Sequence, residues 1–460
     1  MGNREGEQKE LFVTHQQMRG PSHPFYKVLN EVLAKQGFDR YVEGLCAKFY
    51  AKKMGRPSLP PGVYFRCLML GYFEGIDSER GIVWRAADSL SLRDFLGIPL
   101  GQATPDHSTL SKTRTRIDVE THREVFTWML GVLAEHGLLT GKTVGIDGTP
   151  LEANAAMRSI VRRDDGRSYQ QFLEDLARAS GVATPTREDL ALMDRKRKGK
   201  KTSNKDWYNP HDPDAQVTKM KDGRTHMGHK QEHAVDMESG AIVAVTVTGG
   251  TVGDTTSVEE TIEEAAKNLH AAAEKSSAKA RTKIADGIAE AVMDKGYHSN
   301  GTVGLMSAAL IRSYIAEPKR KRRQWEGDLD TRDEVYANRR RIGGKRGRRL
   351  MRLRGELIER SFAHTLETGG MRRTHLRHHE NILKRVLVHT AGFNLSLVMR
   401  ALLGFGKPRR VQDGFAVVSA RFLSFWHLLT AWIVVLGRRS RVSRPLRVYR
   451  DFVCLDSGAT

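Results

Sequence analysis

Two aspartates and a glutamate stand where a few carboxylates could converge. Asp147 closes the apolar run Thr143-Val144-Gly145-Ile146, and Asp294 closes Ala291-Val292-Met293. Glu359 follows Ile358 in Arg354-Gly355-Glu356-Leu357-Ile358-Glu359-Arg360-Ser361-Phe362. Mg²⁺ is a hard cation that takes carboxylate oxygens and keeps several waters. Two such ions stabilise both the attacking and the departing oxygen of a phosphoryl displacement. Taken singly, each acid has an ordinary structural reading. A strand-end aspartate starts a turn, and a helical glutamate faces water. If their two strands neighbour each other in one sheet, however, Asp147 and Asp294 come together. On the glutamate helix, Ile358, Phe362 and Leu366 form the apolar stripe. Glu356, Glu359 and Ala363 share the adjoining face by i, i+3, i+7 spacing.

The elements that must position these acids follow from periodicity and turn chemistry. Strands are predicted at 143–147, 229–236, 241–248, 289–294 and 311–316, with Met237-Glu238-Ser239-Gly240 turning the first hairpin. Helices are predicted from Thr256 to about Ala273 and from about Gly355 to Glu367. Between 158 and 228 lies a polar, basic insert with too few apolar residues for a core strand. The order β, insert, β, β, α, β, α, β, α is that of a ribonuclease-H-like α/β fold, a mixed five-stranded sheet with helices. Residues 1–140 read as all-helical. Helices are expected over 59–75 and 78–90 (Ser78 as N-cap), with a short element at 92–96 and a capped basic helix from Pro105 to Arg116. Two helices, a turn and a basic third helix suggest a helix-turn-helix module. Its hydroxyl-rich basic face carries Lys112, Arg114 and Arg116. The division is therefore 1–140 helical, 141–400 catalytic and 401–460 an apolar helix (Phe422 to Leu436) with a basic tail. That apolar segment is too short to span a bilayer comfortably, and a docked helix is expected instead.

Charge narrows the partners. The 460 residues carry 75 Lys+Arg against 54 Asp+Glu, a formal charge of +21. With 39% hydrophobic residues the chain can bury a core, which excludes global disorder. A polyanion is the expected partner, nucleic acid rather than a membrane. The basic residues cluster at 195–201, at Lys319-Arg320-Lys321-Arg322-Arg323, at Arg339-Arg340-Arg341, and at Lys345-Arg346 with Arg348-Arg349. Trp325 and Tyr336 lie among them and could stack on an unpaired base. Three cysteines, Cys46, Cys67 and Cys454, make no disulfide framework and no zinc spacing, which points to a reducing cytoplasm. The first residues lack an apolar h-region, which argues against a signal peptide. His375, His378 and His379, like His226 and His229, have metal-like spacing but no evident fourth ligand. They read as surface or phosphate-facing residues. Asp236 and Asp254 read as turn or cap residues, with a supporting place behind the site as the other reading.

The motifs resemble those of bacterial insertion-sequence transposases of the DDE type. Asp294-Lys295-Gly296-Tyr297-His298-Ser299 resembles the family's second-Asp motif, and Ile146-Asp147-Gly148-Thr149 with Glu152-Ala153-Asn154-Ala155 its first. The glutamate segment is similar over Ile358-Glu359-Arg360-Ser361-Phe362, Gly370-Met371-Arg372-Arg373, His378-His379-Glu380-Asn381 and Asn394-Leu395. Asp212-Pro213-Asp214-Ala215 with Gly228-His229-Lys230 resembles the approach to the second strand, and 58–118 the N-terminal helical domain. The resemblance spans roughly residues 20–410. It implies that Asp147, Asp294 and Glu359 are the catalytic carboxylates and hold Mg²⁺ or Mn²⁺, two ions per site. It also implies cutting at transposon ends, joining of the 3′-hydroxyl to target DNA, and a dimer or higher oligomer on DNA in the cytoplasm, at the nucleoid. Arg360, Arg372 and Arg373 join the basic residues expected to contact DNA. Some relatives carry a tyrosine, an arginine and a lysine around the glutamate where this chain has Arg352, Gly355 and Leu366, so a hairpin intermediate is not carried over. Two other classes share some of these features. A non-catalytic DNA-binding protein from a decayed element would bind end DNA without nicking it. A ribonuclease-H-like nuclease would prefer RNA–DNA hybrids.

Overall fold

A computed structural model of the chain describes residues 22–51, 58–198, 203–220, 222–319, 325 and 328–409. The apolar segment 422–436, the basic tail, Cys454 and Arg320, Lys321, Arg322 and Arg323 lie outside the described residues. Residues up to 408 belong to one unit.

The sheet is built around β1 (Thr143–Glu152). On one side β1 pairs antiparallel with β5 (Thr225–Asp236). On the other it pairs parallel with β7 (Glu290–Met293), which in turn pairs parallel with β8 (Arg312–Ile315). The far side of β5 is shared. β4 (Gln216–Lys219) pairs with its beginning, and β6 (Ile242–Gly249) with the rest. The mixed sheet thus has six strands rather than five. The sixth, β4, lies inside the insert expected to contribute none. Val217 is the buried apolar residue that the composition average concealed. The rest of the insert holds a small ribbon, β2 (Val161–Arg162) with β3 (Trp207–Tyr208), and two helices, α8 (Tyr169–Ala179) and α9 (Arg187–Lys196). Both helices begin with a capping box, Ser168 with Gln171 and Thr186 with Asp189.

The described N-terminal residues contain α1 (Pro24–Lys35), α2 (Phe38–Cys46), α3 (Pro61–Glu74), α4 (Glu79–Ala87), α5 (Leu90–Leu96), α6 (His107–Arg116) and α7 (Val119–Glu135). The helix expected over 78–90 stops at Ala87 because Ser89 caps a new one, accepting from the Leu92 N–H. Beyond the strands come α10 (Asp254–Lys275), α11 (Ala278–Arg281), α12 (Asn300–Ala308), α13 (Leu329–Gly343), α14 (Lys345–Phe362) and α15 (His379–Leu403). α14 starts ten residues earlier than its apolar stripe suggests, because its first half is basic and buries only Gly347 and Leu350 fully.

α10 and α14 cover opposite faces of the sheet. Alternate residues of β5 divide between them: Lys230 and Glu232 bond to Ser257 and Thr261 of α10, while His233 meets Ser361 and Phe362 of α14. The edge strands β6 and β8 are each closed by an asparagine side chain. Asn394 accepts from Ile242 N–H and donates to Ile242 C=O on β6, and Asn338 does the same for Ile315 on β8. An amide so placed satisfies backbone groups that would otherwise template another strand.

α15 is long and apolar enough to cross a membrane by composition, but it is largely buried within the protein. It joins the helical region to the sheet. From it, Arg385 donates through Nη1 to Leu68 C=O at 2.9 Å and through Nη2 to Ile76 C=O at 3.1 Å, at the end of α3.

Candidate active site

The parallel register of β1 and β7 pairs Ile146 with Met293, which carries Asp147, in the middle of β1, beside Asp294, just past the end of β7. β1 does not stop at Asp147 as expected but runs on to Glu152, because residues 148–152 continue its pairing with β5. Asp294 is half-buried. Its Oδ1 accepts from Gly296 N–H at 2.8 Å and caps the 3₁₀ turn Lys295–Tyr297. Asp147 Oδ1 accepts from Gly148 N–H at 2.8 Å, and Oδ2 accepts from Arg354 Nη1 at 2.7 Å. Burial pushes the Asp147 carboxyl above its ordinary value. Arg354 and the Gly148 N–H oppose that rise, and the charge of Asp294 adds to it. The mutual effect places the two carboxylates within each other's field.

Glu359 lies on α14. The face of α14 turned to the sheet carries Leu350, Arg354, Ile358 and Ser361. Glu359 is exposed on the flank of that face. Glu356 points further out and pairs with Arg360 at 2.6 Å.

A buried polar network lies beneath the two aspartates on the α10 face, and the sequence reading missed it. Lys230 Nζ lies 2.6 Å from both Glu232 Oε1 and Asp254 Oδ1 and donates to Ser257 Oγ at 2.9 Å. Glu232 accepts from Tyr297 Oη at 2.8 Å, Ser257 Oγ at 2.6 Å and Thr261 Oγ1 at 2.7 Å. Glycine is needed at two places here. A Cβ on Gly148 would stand 2.8 Å from Lys230 Cε, and one on Gly296 would strike the Asp254 carboxylate. The network therefore ties the Asp294 turn, through Tyr297, to the strand beside Asp147. The available signal was the run His229-Lys230-Gln231-Glu232-His233. Five polar residues in a central strand require partners. Asp254 is the first residue of α10 and serves this network rather than only capping.

The expected DNA contacts divide by exposure. Lys112, Arg116 and Arg340 are exposed. Arg114 is buried, 8% exposed, in an ion pair with Glu79 and is removed from any groove-facing set. Arg341 is turned inward and donates to Ser313 C=O and Oγ, each at 2.9 Å. Arg339 pairs with Glu317, and Arg360, Arg372 and Arg373 pair with Glu356, Glu367 and Glu152 while staying exposed. Tyr336 has Arg339 over its ring and Trp325 against its edge.

The histidines also sort themselves. His229 is fully buried, with Nε2 3.2 Å from Asp212 Oδ2, which corrects the surface reading. Asp212 and Asp214 accept from the N–H groups of His378 and His379 at the start of α15. One ligand atom each of Asp212, Asp214 and His378 falls within 4.8 Å of the others, an arrangement open to a cation.

Two family models match the chain. One, described as Transposase domain (DUF772), covers residues 13–116; the other, described as Transposase DDE domain, covers 200–395. The chain belongs to the DDE transposases of insertion sequences. It is a DNA transposase, and its DDE domain implies the ribonuclease-H-like fold and a metal-dependent enzyme that cleaves and joins DNA. Asp294 and Glu359 fall inside the second matched segment of the transposase, and Asp147 lies between the two segments. No curated protein and no solved structure matches it significantly.

Proposed function

We propose that this transposase cuts DNA at the terminal inverted repeats of its element and joins the exposed 3′-hydroxyl to a target strand, with Asp147, Asp294 and Glu359 as its catalytic carboxylates. The adjoining placement of Asp147, within β1, and Asp294, just past the end of the parallel strand β7, carries the reading. The donor set fits Mg²⁺ or Mn²⁺, since it offers hard carboxylate oxygens in a partly desolvated setting. Ions held there supply Lewis-acid stabilisation of the oxygens that attack and depart. In the first reaction water attacks a phosphodiester at the transposon end, and the bond to the 3′ oxygen breaks with a proton passing to that oxygen. In the second, the new 3′-hydroxyl loses its proton and attacks a target phosphodiester, releasing a target 3′-hydroxyl. Glu359, on the exposed flank of α14, completes the set when that flank meets DNA and the aspartates.

In this reading the chain divides by task. Residues 1–140 bind DNA, 141–400 carry the chemistry, and the enzyme works at the nucleoid as a dimer or larger assembly. Lys112, Arg116 and Arg340 supply phosphate contacts.

The test uses purified protein and duplex DNA bearing the inverted repeats that flank the gene. Asp147→Asn and Asp294→Asn should each abolish Mn²⁺-dependent nicking while the gel shift of the same duplex persists. Undiminished nicking by either variant defeats the assignment.

A further inference from the structure

Among the described residues, Arg354 is the one basic side chain in an ion pair with a proposed metal ligand. It lies on the sheet-facing side of α14, with its side chain only 15% exposed and Nη1 2.7 Å from Asp147 Oδ2. Its Nε is buried and has no hydrogen-bond partner. The guanidinium is therefore held mainly by the carboxylate. Asp147 in turn has both oxygens engaged, Oδ1 by the Gly148 N–H and Oδ2 by Arg354. A divalent ion taking Oδ2 as a ligand meets a fixed positive charge within hydrogen-bond distance of the same atom. In a partly desolvated site that repulsion is weakly screened.

We propose that Arg354 is a gate on Asp147, competing with the divalent ion for Oδ2 and giving way when a DNA phosphate takes its guanidinium. The inference rests on the reading of Asp147 as a metal ligand. Arginine suits the task because its planar fork binds carboxylate and phosphate alike. Its exchange of partners makes metal binding and DNA binding mutually supportive, since each frees the other's ligand and the coupling is reciprocal. The position is specific to this chain's helix register. One residue on, Gly355 presents no side chain, and one turn on, Ile358 faces Gly145 with carbon alone.

The gate makes a signed prediction for metal binding without DNA or turnover. Mn²⁺ affinity of the full chain is measured by titration calorimetry for the wild type, Arg354→Gln, Arg354→Lys and Asp147→Asn. Arg354→Gln should tighten binding about tenfold, the scale of one charged hydrogen bond, with Arg354→Lys in between. A support for Asp147 predicts the opposite sign, because a loosened ligand binds more weakly. Unchanged or weaker binding in Arg354→Gln, with near-ultraviolet circular dichroism intact, overturns the gate. Asp147→Asn separates the two layers of the argument. If it leaves Mn²⁺ binding unchanged, the metal-ligand reading itself fails. If it weakens binding while Arg354→Gln does not tighten it, only the gate fails. A second measurement adds the DNA arm. Calf-thymus duplex should raise the wild-type affinity for Mn²⁺ and leave that of Arg354→Gln unchanged, and equal enhancement in both proteins also overturns the gate.

Discussion

His233 on β5 stacks on Phe362 of α14 with ring centroids 4.3 Å apart, and it stands opposite Asp147 in the β1–β5 register. Its Nδ1 lies 2.9 Å from Ser361 Oγ. Burial drives its pKa from 6.5 down to about 3, so the ring is neutral wherever the enzyme works. It acts as a packing element between the sheet and the helix that bears Arg354 and Glu359.

Acid should unfold the protein early. His122 is likewise pushed down to about 3 by burial, and His389 well below its usual value. The unfolded chain binds these protons as pH falls below about 6.5, and the folded chain does not, so stability drops with falling pH. Each histidine costs about 2 kcal/mol by pH 5, against a total of roughly 5–15 kcal/mol for a typical domain. Urea midpoints between pH 7 and 5 measure this, and His233→Phe should flatten the slope. A flat wild-type profile refutes it.

The Lys230 network should behave as a buried ion cluster. Lys230→Met strands the buried Glu232, while Asp254 keeps its solvent, and should cost about 3–5 kcal/mol. The double variant Lys230→Met with Glu232→Met should lose less than Lys230→Met alone, because the stranded charge is gone. Chemical denaturation of the wild type, Lys230→Met, Glu232→Met and the double variant reads the cycle, and additive losses contradict the network.

Two neighbouring basic residues of α6 should part company. Arg114→Ala leaves Glu79 unpaired in the interior and should lower stability by about 2–4 kcal/mol. Lys112→Ala should leave stability within about 0.5 kcal/mol and reduce the salt slope of DNA binding by about one. Thermal melts and salt-titrated binding separate the two outcomes.

Arg385 should be a fastener between α15 and the end of α3. Arg385→Met removes donors from two carbonyls, and a loss of about 2–4 kcal/mol is expected. Proteolysis of the N-terminal helices should quicken with it. A variant as protease-resistant as the wild type would remove the fastener role.

Glu359 and Glu356 offer a functional contrast. Glu359→Gln should stop Mn²⁺-dependent nicking with the DNA shift retained, whereas Glu356→Gln should lose only its pair with Arg360 and keep nicking. Nicking assays at matched occupancy decide it, and equal activity in the two variants would exclude Glu359 from the chemistry.

Several features were legible in the residues alone. Apolar runs leading into Asp147 and Asp294 needed only the period of a strand, and Ser78 could announce a helix because capping is a local bond. The family motifs likewise lie in contiguous stretches. Local chemistry reads from local sequence.

Other features were settled by packing. Arg114 and Lys112 have the same charge in the same helix, and only the position of Glu79 decides which is buried. β4 escaped notice because a short edge strand with one buried apolar residue is stabilised by its partner β5, not by its own composition. Lys230 meets Asp254 and Arg354 meets Asp147 across separations of 24 and 207 residues. The sequence by itself determined which acids were available and the apolar runs beside them. The tertiary structure decided which charges face them, because a buried charge is stable only beside its partner and that partner comes from a distant part of the chain.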